Sequence, residues 1–170
     1  TLSGGSYYLS GDVEYSGTES ITFTGEDILC LNDHKLDLKG RRISVGSGAS
    51  FTLCDCSTGG VLTGGSDSAR NGGGVYVAGG GTFTMTGGSI AGNTAAAGGG
   101  INNNKASSGG GGGVMVNLGT FTLSGGSITG NATNDETYGS GGGVCLYGTF
   151  YLSGDSIIQN NTKAGSTDNL

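Results

Sequence analysis

Apolar and polar residues alternate along much of this chain, and they do so in a pattern that returns. In Thr82-Phe83-Thr84-Met85 the apolar side chains fall on one face and the threonines on the other, and Thr120-Phe121-Thr122-Leu123 repeats the arrangement. Each such segment is followed by a glycine pair, Gly87-Gly88 or Gly125-Gly126, where a sharp turn with positive φ is expected before an isoleucine re-enters the core. The repeat reads Gly-Gly-Gly-Val, a gap, the alternating strand, a turn, Ile, then Asn. Its copies start at Val75, Val114 and Val144, carry Phe83, Phe121 and Phe150, then Ile90, Ile128 and Ile157, and end on Asn93, Asn131 and Asn160. From Phe to Ile is seven residues and from Ile to Asn three in every copy, whereas the stretch from Asn to the next Val changes length. A constant core with variable connections describes a unit that cannot bury its own apolar face and must stack on its neighbours.

Short strands separated by glycine-rich corners predict an all-β fold: a right-handed, single-stranded parallel β-helix with an irregular N-terminal cap. One domain is expected, with a cap and first coils over 1–47, repeat coils over 48–162 and a polar tail over 163–170 that frays. Residues 49–64 form a degenerate copy, with Phe51 in the column of Phe83. Counting strands in threes predicts about five or six coils. Insertions at 65–71, 95–112 and 132–142, rich in Gly, Ala, Asn and Ser, are the segments where such a scaffold carries binding function.

Stacking in register turns each repeated residue into a column at roughly 4.8 Å spacing. Asn93, Asn131 and Asn160 predict a structural amide ladder. The Asn131-Ala-Thr133 and Asn160-Asn-Thr162 stretches also match a glycosylation acceptor pattern, which the ladder makes unnecessary. Thr82, Thr120 and Thr149, with Thr84, Thr122 and Tyr151 beside them, form outward hydroxyl rows of the kind an ice-binding face needs. Strand propensity alone accounts for them, and Tyr151 interrupts the array. Tyr76, Met115 and Cys145, with Tyr147 close by, form a third column, expected either as an exposed contact surface or as a face covered by the long loops.

Composition narrows the functional classes. Lys and Arg number 7 against 13 Asp and Glu, a net charge of −6, which disfavours nucleic acid as a partner. No apolar run approaches the ~18 residues of a membrane helix, so no direct membrane insertion is expected. The chain opens at Thr1 without a signal peptide, as an excised piece of a larger protein would. Among the four cysteines, Cys30 precedes Cys54 and Cys56 by about one coil, so a disulfide from Cys30 to one of them competes with unpaired, apolar cysteines. No zinc spacing is present, and no cofactor is called for. The stretch Asp33 to Arg42 holds four of the seven Lys and Arg residues and reads as a solvated strand face, with Leu36 and Leu38 inward. Asp67, Asp135, Glu136 and Asp155 are scattered, and no carboxylate pair recurs over one groove, so no catalytic residue is named.

Gly-Gly-Gly-Val at 72–75, 111–114 and 141–144, with Ile-x-x-Asn at Ile90 to Asn93, Ile128 to Asn131 and Ile157 to Asn160, resembles the passenger repeats of the polymorphic outer-membrane autotransporter family. That family pairs a Gly-Gly-Ala-Ile motif with Phe-x-x-Asn. The similarity covers roughly residues 49–162 and is to the repeat type. Leu29-Cys-Leu-Asn32 and Phe51-Thr-Leu-Cys-Asp-Cys56 resemble, more weakly, repeat-rich surface proteins of Gram-positive bacteria. Both resemblances imply a parallel β-helix at the cell surface or outside a bacterial cell, used for adhesion or as a stalk, with glycans or surface proteins as partners. Neither carries over a catalytic or ligand-binding residue. The expectation is an extracellular adhesin-like binding or display module; the alternatives are a carbohydrate-active enzyme domain and a purely structural stalk.

Overall fold

The computed structural model describes residues 1–67, 72–95, 112–134 and 141–170. Over these residues the protein is all-β, built from parallel sheets. The strands run in chain order β1 (Gly5–Tyr8), β2 (Val13–Glu14), β3 (Ile21–Phe23), β4 (Glu26–Cys30), β5 (Lys35–Asp37) and β6 (Ile43–Val45). They continue as β7 (Ser50–Cys54), β8 (Val61–Thr63), β9 (Ser66–Asp67), β10 (Val75–Val77), β11 (Thr82–Met85), β12 (Ser89–Ala91) and β13 (Thr94–Ala95). The last seven are β14 (Val114–Leu123), β15 (Ser127–Thr129), β16 (Ala132–Thr133), β17 (Val144–Leu152), β18 (Ile157–Gln159), β19 (Thr162–Lys163) and β20 (Ser166–Thr167). Among the described residues no helix is long and apolar enough to cross a membrane.

Each strand lies beside the strand that holds the same place in the preceding repeat. One sheet runs β1-β4-β7-β11-β14-β10-β6-β3, with β17 on β14; a second runs β18-β15-β12-β8-β5-β2; a third runs β20-β19-β16-β13-β9. β14 belongs to two repeats at once, pairing β10 through Val114–Val116 and β11 through Thr120–Leu123. Between the halves, Leu118 is a single extra residue relative to β17, half exposed and at φ 53°, where the ladder shifts register. Residues 1–47, irregular in sequence, keep the same register: β1, β2 and β3 pair with β4, β5 and β6. Their two repeats differ in lacking a strand of the third sheet.

The alternation in sequence becomes burial. Phe83, Met85, Phe121 and Leu123 are fully buried, while the threonines between them are not. Phe51, Phe83, Phe121 and Phe150 stand in register, with ring centroids 4.9–5.5 Å apart and near-parallel planes. Phe23 extends this column, 4.2 Å above Phe51, from a different strand. The in-register neighbour of Phe51 on β4 is Asp27, and Phe23 supplies the ring that Asp27 cannot. Each buried phenylalanine contributes roughly 1.5–3 kcal/mol by its removal from water.

The final repeat departs from the spacing read in the sequence. Ile158, not Ile157, pairs with Ile128, and Asn161, not Asn160, is buried in the amide ladder. The reason is one additional residue in the turn: Leu152 to Ile158 spans one position more than Leu123 to Ile128. Asn160 then occupies the place of Gly92 and Gly130. All three are left-handed, at φ 56°, 65° and 63°, and Asn is the side chain that tolerates this region best after glycine.

The C-terminal segment does not fray. β20 returns antiparallel to β19, and the Asp168 and Asn169 carbonyls accept hydrogen bonds from Gly143 and Val144 main-chain N. Those two carbonyls take the role that Gly142 and Gly143 play for Gly113 and Val114 in the previous repeat. A main-chain carbonyl is indifferent to its side chain, so a polar tail serves where the repeat uses glycine.

Candidate contact surface

The column Ser44, Tyr76, Met115 and Cys145 exists in register across β6, β10, β14 and β17, but it is not an open surface. Met115 is fully buried and Cys145 is 4% exposed; with half-buried Tyr76 they form a small apolar cluster outside the main core. Glycine backbone lies against Met115: a Cβ on Gly72 would meet Met115 Cβ and come within 3.1 Å of its main-chain N. Of the two expectations, an exposed column or a face covered by the long loops, the burial of Met115 and Cys145 overturns the first and leaves two partial exposures, Tyr76 and Tyr147; most of the loops lie outside the described residues.

Tyr76 is held from two sides. Its hydroxyl accepts a hydrogen bond from Asn117 Nδ2 at 2.8 Å, and the Arg42 guanidinium lies 5.2 Å from its ring centroid. Arg42 Nε also donates to Ser44 Oγ at 3.1 Å, and burial lowers the Arg42 pKa while Tyr76 opposes that shift. Sequence reading missed this grouping, since Arg42 precedes its strand and Asn117 stands two positions beyond the Tyr76 partner. Tyr147, 44% exposed, lies beside Asn117 and lines a surface cavity of about 370 Å³ with Leu146, Lys163, Asp168 and Leu170.

The anchors of the inserted segments share one corner. Residues 68–71, 96–111 and 135–140, the bulk of the three insertions read from the sequence, lie outside the described residues. Their anchors do not. The chain leaves from Asp67, Ala95 and Thr133, neighbours in the third sheet, and rejoins before Val75, Val114 and Val144, neighbours in the first. All three insertions therefore start and finish on one edge of the stack, next to Tyr76 and Tyr147.

The amide ladder runs beneath this corner. Asn131 Oδ1 accepts from Asn93 main-chain N and Nδ2, both at 3.0 Å, and Asn161 Oδ1 accepts from the same two atoms of Asn131 at 3.0 and 2.9 Å. The Nδ2 groups also donate to strand carbonyls, Ile90 O from Asn131 and Ile128 O from Asn161. At its other end Asn93 Oδ1 accepts from Gly65 N at 2.8 Å. The ladder is structural and leaves no amide for a ligand.

Other sequence-marked groups are accounted for locally. The threonine rows are in register, Ser50, Thr82, Thr120 and Thr149 beside Thr52, Thr84 and Thr122, and are bounded by Ile28 and Tyr151. Leu36 and Leu38 are buried, and Lys39 Nζ is shared between Glu14 Oε1 at 2.8 Å and Asp37 Oδ2 at 3.0 Å. His34 Nδ1 lies 3.7 Å from Asp12 Oδ1. Cys30 is joined to Cys56, with Cα atoms 6.5 Å apart, although Cys54 is its in-register neighbour. Among the described residues no three His, Cys, Asp or Glu side chains converge to hold a metal ion. No known family pattern, characterised protein or solved structure matches this chain.

Proposed function

We propose that this chain is part of a right-handed, single-stranded parallel β-helix displayed outside a bacterial cell, acting as an adhesin-like binding or display module for glycans or surface proteins. The observation that carries the reading is the shared corner: the anchors of three insertions of different length stand side by side in register. A regular stack that keeps variable segments together is the arrangement by which repeat scaffolds build recognition surfaces. Parallel pairing between successive repeats supports the helical winding, and the general preference for right-handed parallel crossovers supports its hand. The repeat's resemblance to autotransporter passenger motifs supports the location.

The test is binding of the purified protein to a glycan and extracellular-matrix array, with the washes assayed for cleaved products. Saturable binding without products, weakened by Tyr147→Ala, is the expected result. New reducing or unsaturated ends would replace this reading with a carbohydrate-active enzyme, and neither binding nor products would leave a structural stalk.

A further inference from the structure

The corner preceding β6 carries one arginine, Arg41, whose charge neither the fold nor the contact surface uses. Lys39 is held by Glu14 and Asp37, but Arg41 is not ion-paired: among the described residues no carboxylate lies within 4 Å of its guanidinium. Its Nη1 donates a 3.3 Å hydrogen bond to the adjacent Gly40 carbonyl, and its Nε is closed off from solvent without any hydrogen-bond partner. A buried donor left unmade costs about 1–3 kcal/mol, more when charged, so the fold itself gains nothing from this N–H. The turn itself does not need the side chain. Arg41 closes it through main-chain N to Leu38 O at 2.9 Å, and its carbonyl accepts from Ser66 N at 3.2 Å.

Arg41 lines a polar cavity of about 140 Å³ whose walls also include Arg42, Thr18, Ser20, Ser66 and Glu19. Two arginines and three hydroxyl-bearing residues line one small cavity in a chain of net charge −6, a local exception to the acidic balance. The planar fork of arginine matches the oxygens of a carboxylate, sulfate or phosphate, and hydroxyls donate to the oxygens that the fork leaves over. Arg42 contributes charge at the wall while its Nε is engaged by Ser44. The geometry points to a binding site for a small oxyanion group, held through the Arg41 guanidinium. The site goes beyond the display reading and does not depend on it, because it stands whether the group arrives as a free ion or carried on a sugar.

Glu19 is the one carboxylate among the lining residues, so it opposes the ligand and sets the sign of a control variant. The experiment follows the arginine Nε–H resonances of the ¹⁵N-labelled protein, and the backbone amides of Thr18, Ser20 and Ser66 that remain in every Arg41 variant, as sodium sulfate is added, with sodium chloride at matched ionic strength as reference. A saturable shift of the Arg41 resonance with sulfate and not with chloride is expected. Arg41→Lys should weaken binding about tenfold, by keeping the charge and losing the fork, and Glu19→Gln should tighten it. A sulfated disaccharide run in parallel identifies the source: tighter binding than free sulfate assigns a group borne on a glycan, weaker binding a free ion. A shift that is linear and equal in chloride overturns the site, as does unchanged saturation in Arg41→Gln. Should Arg41→Gln fail to fold, the exposed positions decide, and sulfate affinity unchanged in both Glu19→Gln and Ser66→Ala overturns it equally.

Discussion

Asn169 closes the ladder that Asn161 would otherwise leave open: its Oδ1 accepts hydrogen bonds from Asn161 main-chain N and Nδ2, each at 3.2 Å. The same residue's carbonyl receives Val144 N, so one asparagine terminates both the amide ladder and the glycine corner at this end of the stack. Among the described residues the first sheet at that end has no equivalent cover. Leu152, in the column of the buried Leu123 and Met85, is 57% exposed, and Phe150 has a ring neighbour only on the Phe121 side among the described residues.

The register of the last repeat separates two adjacent asparagines. Asn161→Ala removes the acceptor for Asn131 N and Nδ2 and leaves Ile128 O without its amide donor, a loss of roughly 2–4 kcal/mol. Asn160→Gly keeps the left-handed turn and should stay within about 1 kcal/mol of the parent. Urea unfolding of the two variants checks this, and the opposite ranking would return Asn160 to the ladder.

Glycine at the Gly-Gly-Gly-Val corner answers to close approach and not to unusual dihedral angles, since none of Gly73, Gly113 or Gly143 has positive φ. A Cβ on Gly113 would lie 2.7 Å from Gly143 O and 3.0 Å from Asn131 Nδ2, both fixed by the stack. Gly113→Ala should therefore cost about 1–3 kcal/mol, as overpacking does. Gly11→Ala, with nothing within 4 Å of the added carbon, should be neutral or slightly stabilising in the same thermal-unfolding experiment.

These two cases mark how far the sequence could be read. Alternation placed Phe51, Phe83, Phe121 and Phe150 in one column, because strand period and constant spacing both survive in the linear pattern. It could not place Phe23, whose ring crosses from another strand to fill the gap at Asp27. Ile157-Ile158 and Asn160-Asn161 offer two chemically acceptable registers, and only the length of the turn between stacked strands chooses between them. For Met115 and Cys145 the sequence left an exposed column and a covered face both open, because alternation tells which residues face outward, not what then lies across that face. Asn169 carried no repeat signal at all, since its contribution is half main chain.

The cysteines give a chemical test of the N-terminal repeats. Peptide mapping under non-reducing conditions should recover Cys30 linked to Cys56 and Cys54 as an alkylatable thiol. Burial first, and Asp55 second, raise the Cys54 pKa, so its thiolate fraction at neutral pH is below that of an ordinary cysteine. Iodoacetamide labelling of Cys54 in the folded protein should accordingly be slow near pH 7 and reach its half-maximal rate at a higher pH than in the urea-unfolded chain. Equal pH profiles in the two states would contradict this environment.

The Glu14, Lys39 and Asp37 cluster predicts how stability responds to acid and base. The Asp37 carboxylate accepts hydrogen bonds from Lys39 main-chain N and Nζ, which hold its pKa below the usual carboxylate range. A carboxylate depressed in the folded state stabilises it above the unfolded pKa, and that contribution disappears as pH falls through the folded value. Lys39 is shifted the other way, raised first by Glu14 and then by Asp37, so its contribution is complete at neutral pH and is lost as pH rises through its folded pKa. Lys39 is open to solvent and Asp37 partly so, which keeps the effect small and salt-sensitive. Asp37→Asn should flatten the acid limb of stability below about pH 4, measured by urea midpoint against pH at low ionic strength, and added salt should shrink the difference between variant and parent. A variant whose acid limb matches the parent at low salt would show that the ion pair seen at Lys39 contributes nothing measurable to folding.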